Sequence, residues 1–423
     1  MKIANLDCGY KTSSGSLGLS TLIHQPVVMA GADARMGSTT APLVASGVFG
    51  EHALAVGSAR LNGGRSNRKS LNILLASERF APSVGGVETV TRLVAEALAQ
   101  AQHRVTVVTN EEDFTNVDRM NPSDMVVLRR PSAWSLVQQY RNADVVILHG
   151  PTLRLGWPLL FRRNCALTVH HMAPRTCGNQ ATVWLQERLA LRVRHAAVSE
   201  ALARAVRWPV EAVLPDPYDD TAFRKDSTIA RDRDVAFVGR LIPEKGAHVL
   251  IEALSILEGT GTRLTASIVG DGPELNRLKQ LIDAQQLGES VKLTGQLSGV
   301  ALARLLNRHQ LLVVPSLCAE GFGLAALEGI ACGCVVLGSR LGGLPEAIGC
   351  CGMTFTAGEA EGLAEMLGDV LRSPERLDQL RTGAEQHLAN HRPAVVARRY
   401  LEFVTSPARP AETCAGCEIA ETR

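Results

Sequence analysis

Leu311-Leu312-Val313-Val314-Pro315-Ser316-Leu317-Cys318-Ala319-Glu320-Gly321-Phe322-Gly323-Leu324-Ala325-Ala326-Leu327-Glu328 decides the fold. The first four residues form an apolar run, read as a buried strand. The last five read as the start of a helix, and a loop with two glycines lies between. Strand, glycine loop and helix in that order belong to an open α/β sheet, where such junctions lie on the ligand-binding edge. Gly321 and Gly323 let the backbone approach a ligand, and free N–H groups at the helix start favour anionic or hydroxyl acceptors. Glu320 lies in the loop and Glu328 about one and a half turns into the helix, so both carboxylates can face one cleft. One suits the two hydroxyls of a ribose, since a carboxylate accepts two hydrogen bonds at once. The other suits sugar hydroxyls near a developing positive charge. The competing reading has Glu320 capping a helix and Glu328 as a solvated side chain.

Working outward, the same junction recurs. Val235–Gly239 is a strand followed by Arg240-Leu241-Ile242-Pro243-Glu244-Lys245-Gly246. Arg240 falls just past the strand end and Lys245 just before a helix, where two fixed cations can hold a diphosphate and stabilise it as a leaving group. The plainer reading is surface cations paired with Glu244. Val269-Gly270-Asp271-Gly272-Pro273-Glu274 is again strand then glycine loop. With Leu275 at the third glycine position it is not GxGxxG, which disfavours nicotinamide binding. Gly342-Gly343-Leu344-Pro345-Glu346 is a further tight loop.

Leu71–Ala76 opens an earlier set, with Pro82 and Gly85-Gly86 in the loop and Val87, Val90, Leu93, Val94, Ala97 and Leu98 at helical spacing after it. Strands are expected at 104–109, 125–128, 144–148 and 166–169, then a helix over 182–207. The second set has strands near 265–269, 291–294, 311–314 and 335–337. The expected architecture is α/β: two doubly wound, Rossmann-like domains facing across a cleft. The expected divisions are a poorly ordered extension over 1–69, a first domain over 70–228, a second over 229–392, a terminal helix over 393–405 and a flexible tail over 406–423. Gly63 to Ser70 nearly spells a phosphate-binding loop, but Arg68 replaces its second glycine and a strand follows.

The chain has 423 residues, 46% apolar and 20% charged, with a formal net charge of +2. Two ordinary cores fit that length, and no whole-chain field argues for nucleic acid as a partner. No apolar run reaches the roughly 18 residues of a membrane span, and the start lacks a signal-peptide core. Ten scattered cysteines read as buried thiols, so the expected compartment is the cytoplasm. Cys414 and Cys417 form a lone CxxC without nearby zinc partners.

Together these motifs resemble the GT-B glycosyltransferases of family 4, the "glycosyl transferases group 1", from about Leu71 to Phe403. Gly85-Gly86-Val87-Glu88 matches the family's Gly-Gly-x-Glu. Arg240 and Lys245 match its GR-x-x-x-x-KG element, and Glu320 and Glu328 its E-x7-E element. Ala331-Cys332-Gly333, Ser339 and Gly342 to Glu346 match downstream landmarks. The resemblance implies a retaining hexosyltransferase that uses a nucleotide-diphosphate sugar as co-substrate, with no metal or other cofactor. It implies donor contacts at Gly85, Gly86, Arg240, Lys245, Gly270, Glu320, Gly321, Phe322, Gly323, Leu324 and Glu328. Glu328 would take the ribose and Glu320 the transferred sugar. It implies a catalytic set of His170, Arg240, Lys245 and Glu320, with His149 a second candidate for the histidine. Two departures stand out: Leu214-Pro215-Asp216-Pro217-Tyr218-Asp219 replaces the usual Pro-Asn-Gly-x-Asp, and Val335 a common proline.

The implied acceptor is a glycan or a lipid-linked molecule, in cell-surface polysaccharide or glycolipid synthesis. Arg154, Arg162, Arg163, Arg175, Arg188, Arg192, Arg194, Arg204 and Arg207 stand against only Glu187 and Glu200 over 151–210. That excess suits peripheral contact with an anionic inner membrane face, or else a solvated helix face. Asp232-Arg233-Asp234 spells a metal-binding DxD but precedes a strand near the hinge. A nucleotide-sugar epimerase on the same scaffold and a non-catalytic sugar-nucleotide-binding partner are the alternative functions.

Overall fold

The computed structural model describes residues 70–83, 85–112, 117–120, 125–162, 164–173 and 180–407. The extension over 1–69, the near phosphate loop up to Lys69 and the Cys414–Cys417 pair lie outside the described residues.

The first lobe is one eight-stranded sheet. Its strands are β1 (Asn72–Ser77), β2 (Arg104–Thr109), β3 (Val117–Met120), β4 (Met125–Arg129), β5 (Val145–His149), β6 (Cys165–His170), β7 (Arg194–Ala197) and β8 (Ala212–Val213). They lie in the order β3-β4-β2-β1-β5-β6-β7-β8. Every neighbouring pair is parallel except β3 with β4. The second lobe has β9 (Arg233–Val238), β10 (Ala266–Val269), β11 (Val291–Gly295), β12 (His309–Val314), β13 (Val335–Ser339) and β14 (Gly352–Phe355). They run parallel in the order β11-β10-β9-β12-β13-β14. The central strands are continuous apolar runs because helices cover both faces of each sheet.

Helix α1 (Gly86–Gln100) shows how the sequence pattern becomes packing. Val90, Leu93, Val94, Ala97 and Leu98 are buried, while Arg92 and Glu96 pair at 2.9 Å on the opposite face. Before β7 come α2 (Ala133–Asn142), α3 (Leu153–Gly156) and α4 (Gln180–Ala190). The single helix expected over 182–207 is instead α4, then strand β7, then helix α5 (Glu200–Ala205). Ala196-Ala197-Val198 is compatible with either state locally. Pairing with β6 on one side and β8 on the other makes it a strand.

The second lobe's helices are α6 (Ala247–Gly259), α7 (Leu275–Ala284), α8 (Gly299–Asn307), α9 (Leu324–Ala331), α10 (Leu344–Ile348), α11 (Ala360–Leu371), α12 (Pro374–Thr382) and α13 (Ala384–Ala389). The final helix, α14 (Pro393–Thr405), returns to the first lobe and lies on α1 and β6. Its Val396, Ala397, Tyr400 and Val404 are buried. Burial of each valine contributes roughly 1.5–3 kcal/mol. The thiol of Cys165 donates to the Val404 carbonyl at 2.7 Å, and the Arg194 guanidinium lies 3.8 Å from the Phe403 ring centre. The chain therefore crosses between the lobes twice. The two crossings touch where the Tyr218 N–H donates to the His391 carbonyl at 3.1 Å. One buried cluster runs from Val90 and Val198 through Phe223 to Ala326 and Leu344, so the lobes share apolar packing.

Candidate active site

Strand order reverses at β9 in the second sheet, and the loops leaving β9, β10, β12 and β13 gather at its carboxyl edge. Backbone bonds lace them together. Leu241 N–H donates to the Asp271 carbonyl (2.8 Å), Leu317 N–H to that of Glu244 (2.8 Å) and Gly343 N–H to that of Glu320 (2.8 Å). Gly270 makes this lacing fit. Its φ is +149°, and a Cβ there would fall 1.8 Å from the Gly239 carbonyl oxygen.

Three of the expected side chains meet or flank this edge. Lys245 Nζ lies 2.9 Å from Glu320 Oε1, and the Ser316 hydroxyl donates to the same oxygen. Both side chains of the pair keep some exposure, 27% for Lys245 and 14% for Glu320. Lys245 therefore pairs with Glu320, not with Glu244. Glu320 does not cap α9 either, whose N-cap is Gly323 without a side-chain bond. Arg240 is exposed, and among the described residues its guanidinium makes no hydrogen bond or ion pair. An unspent cation thus stands in the loop that ends at Lys245.

Glu328 lies in α9, as expected, but it is not a solvated side chain. The residue is half-buried, and burial, with the charge of Asp219 adding to it, pushes its carboxyl up to about 8. Asp219 itself accepts from Arg92 of α1 at 3.0 Å. Glu328 therefore sits behind the edge, where the first lobe and the crossing segment meet the second.

The lobes touch through the same glycine loop. A Cβ on Gly321 would fall 1.9 Å from the His171 carbonyl oxygen, so only glycine admits this approach. The Ser199 hydroxyl donates to the Gly321 carbonyl at 2.7 Å. Gly85 is the N-cap of α1 and Gly86 its first residue, and a Cβ on Gly86 would lie 3.5 Å from the Leu324 side chain. The buried Phe322 packs its ring 5.3 Å from that of His391.

The expected role of His170 at the reacting sugar requires correction. The residue is 0% exposed. Its Nε2 meets His195 Nδ1 at 2.9 Å, and its ring stacks on His195 and Trp208. Burial, reinforced by His195, lowers it to about 3. Successive residues at a strand end point to opposite sides of the sheet, so His171 faces the other way. Its Nε2 meets His149 Nδ1 at 2.9 Å, and its Nδ1 lies 3.1 Å from Asp216 Oδ1, an ion-pair distance without hydrogen-bond alignment. His149 is equally buried, held well below the usual imidazole range by burial and then by His171. Sequence reasoning passed over His171 and Asp216. The tandem histidines at a strand end were the available signal, but the choice between two adjacent rings needs the sheet.

Asp232 pairs with Arg308 (2.6 Å) and Asp234 accepts from Thr265 (2.8 Å), so both acids of the DxD are committed elsewhere. Among the described residues no three His, Cys, Asp or Glu side chains form a metal-binding group, and no helix is long and apolar enough to cross a membrane. The arginine-rich stretch is partly spent: Arg194 pairs with Glu211, Arg207 pairs with Glu187, and Arg188 lies over Trp184. Large apolar side chains nonetheless stand out on this lobe, with Phe161 82%, Leu191 79% and Trp184 54% exposed.

Residues 84–215 match the family described as Glycosyltransferase Family 4, and 219–387 the one described as Glycosyl transferases group 1. The chain is 31% identical over 188 residues to a glycogen synthase of Mycobacterium tuberculosis, 44% of this chain and 42% of that one. It is 28% identical over 239 residues to the GDP-mannose-dependent alpha-(1-6)-phosphatidylinositol monomannoside mannosyltransferase of Mycolicibacterium smegmatis, 52% of this chain and 59% of that one. The matches thus span about half the length of these curated relatives. Among solved structures, Anabaena HepE in complex with UDP and glucose shares the fold, with a TM-score of 0.65 and 20% identity over 80% of this chain and 100% of that one.

Two parallel-sheet lobes that meet at their carboxyl edges define a protein of the GT-B class. The two family matches, which together run from 84 to 387, and the shared fold place the chain among the GT-B, family 4-like glycosyltransferases.

Proposed function

We propose that the protein transfers a hexosyl group from a nucleotide-diphosphate sugar to a glycan or lipid-linked acceptor, with retention at the anomeric carbon and without a metal. The observation that carries this is the Lys245–Glu320 pair at 2.9 Å beside Arg240, unpaired among the described residues, at the carboxyl edge of the second sheet. Arg240 and Lys245 would hold the diphosphate and stabilise it as it leaves. Glu320 would accept from hydroxyls of the transferred sugar, and Glu328 from the ribose. Backbone groups of Gly270, Gly321, Phe322, Gly323 and Leu324 would line the donor, and Gly85-Gly86 would close over it from the first lobe. His170 has no part in this proposal. Lobe closure would exclude water and align the partners.

The names of the relatives support the donor class: one uses GDP-mannose, and the solved HepE complex holds UDP and glucose. Cell-surface polysaccharide or glycolipid synthesis is the setting this reading favours. Peripheral contact with an anionic membrane is supported by the exposed Phe161, Trp184 and Leu191, with Arg162, Arg188 and Arg192 close to them in the chain.

The test is a thermal-shift screen of nucleotide sugars, followed by turnover of the stabilising donor with extracted lipid and glycan acceptors. Nucleotide diphosphate should appear only when an acceptor is added. Epimerised sugar without acceptor, or wild-type turnover by folded Arg240→Ala and Glu320→Ala variants, would overturn the reading.

A further inference from the structure

The first sheet has its own carboxyl edge, and its strand order reverses at β1, between β2 and β5. Ligands of open α/β sheets bind in the crevice outside such a reversal. A groove of about 360 Å³ lies there, built from the residues that leave four strands: Glu78 and Arg79 after β1, Asn110 to Glu112 after β2, Arg130 after β4, and Arg154 in α3 after β5. None of these residues belongs to the donor site described above.

The hydrogen bonds show what the groove still has to offer. Glu78 accepts from Asn110 Nδ2 at 2.6 Å and from the Thr152 hydroxyl, Glu111 accepts from the Ser83 hydroxyl, and Glu112 pairs with Arg130. Each acid already accepts at least one bond. Arg79 and Arg154 are exposed, and among the described residues neither guanidinium has a hydrogen bond or ion pair. The unspent capacity is therefore on the donor side, in two planar forks that match an oxyanion. The lining charges balance, three arginines against three glutamates, so the groove has no field that would favour a polyanion.

We propose that Arg79 and Arg154 form a subsite for a singly charged oxyanion, a phosphodiester or a carboxylate, carried by the acceptor. Calling the ligand an acceptor rests on the transferase reading; the binding itself does not.

The experiment is saturation-transfer NMR and titration of the full chain with three probes: glycerophosphoglycerol (a phosphodiester), glucuronate (a carboxylate sugar) and glucose (neutral). The wild type should bind at least one anionic probe and bind glucose at least tenfold more weakly. The double variant Arg79→Gln/Arg154→Gln, changed only at exposed side chains, should lose that anion binding at least tenfold while its unfolding midpoint stays put. Arg240→Gln should keep it. Preference for the phosphodiester would assign a headgroup-type acceptor, and preference for glucuronate an acidic sugar. Equal binding of glucose, anion binding that survives the double variant, or anion binding lost in Arg240→Gln would each overturn the proposal. Anion binding that behaves as expected in a protein without donor turnover would sink the transferase reading and leave this site standing.

Discussion

Glu346 Oε2 accepts the backbone N–H of Glu200 at 2.9 Å, and its Oε1 accepts that of Ala201 at 3.1 Å, so a carboxylate of the second lobe caps a helix of the first. Ser199, the N-cap of the same helix, donates to the Gly321 carbonyl. The three bonds, each donated by the first lobe and accepted by the second, form a clamp across the cleft. Replacing Glu346 by Ala should cost about 1 kcal/mol of stability from the lost cap. Amide exchange at Glu200 and Ala201 should rise above that of the α1 interior. Unchanged exchange at those two amides would show that the clamp carries no load.

Gly321→Ala should act more severely, because the added methyl would meet the His171 carbonyl oxygen at 1.9 Å, a backbone atom with nowhere to go. The lobes should be held apart while each stays folded. Small-angle scattering should report a larger radius of gyration, circular dichroism should be unchanged, and transfer should fall by at least about 10²-fold, as misplacement of reacting groups allows.

Arg240→Ala should separate binding chemistry from folding. The side chain is exposed and, among the described residues, unpaired, so the unfolding midpoint should match the wild type. Turnover of the donor should drop roughly 10²–10³-fold, the range for losing one charge-stabilising donor. Lys245→Ala should lose turnover as well, and some stability, because it leaves a mostly enclosed Glu320 carboxylate with Ser316 alone.

The buried histidines predict an acid-sensitive fold. Burial holds His170 to about 3 and His391 to about 4, below the ordinary imidazole value of 6.5. Their stabilising contribution is complete above pH 6.5. It declines as pH falls toward 4, because the unfolded chain takes up protons that the folded one refuses. The slope is up to about 1.4 kcal/mol per pH unit for each histidine. Urea midpoints measured from pH 7 to 4 should fall, and His170→Gln should flatten the decline even where it lowers overall stability.

Glu328 runs the other way. Burial pushes its carboxyl up to about 8 from an ordinary 4.5, so its contribution is complete below pH 4.5 and is lost as pH rises toward 8. Glu328→Gln should therefore gain stability relative to wild type across that range, since an amide carries no charge to desolvate. If Glu328 holds the ribose, the same variant should raise the donor KM about fivefold, the scale of one hydrogen bond to a neutral carboxyl, about 1 kcal/mol.

Much of this architecture was legible in the residues. Apolar runs such as those at Leu311–Val314 and Val235–Val238 specify buried strands by composition alone, and glycine loops between strand and helix mark the carboxyl edge. The spacing of α1 and α14 was readable because each presents a 3.6-residue apolar stripe within one segment. Such features are local, and local spacing is what a linear chain records.

The tertiary structure decided whatever depends on a distant partner. Residues 194–197 are a strand because β6 and β8 flank them, against a helix-compatible sequence. His170 points into a stack with His195 and Trp208, and His171 toward His149 and Asp216, because the sheet assigns alternate residues to opposite faces. Glu346 becomes a helix cap, and α14 a piece of the first lobe, only once the chain has crossed between the lobes twice. Pairing across more than a hundred residues is set by which surfaces meet in space. Spacing along the chain carries no record of that.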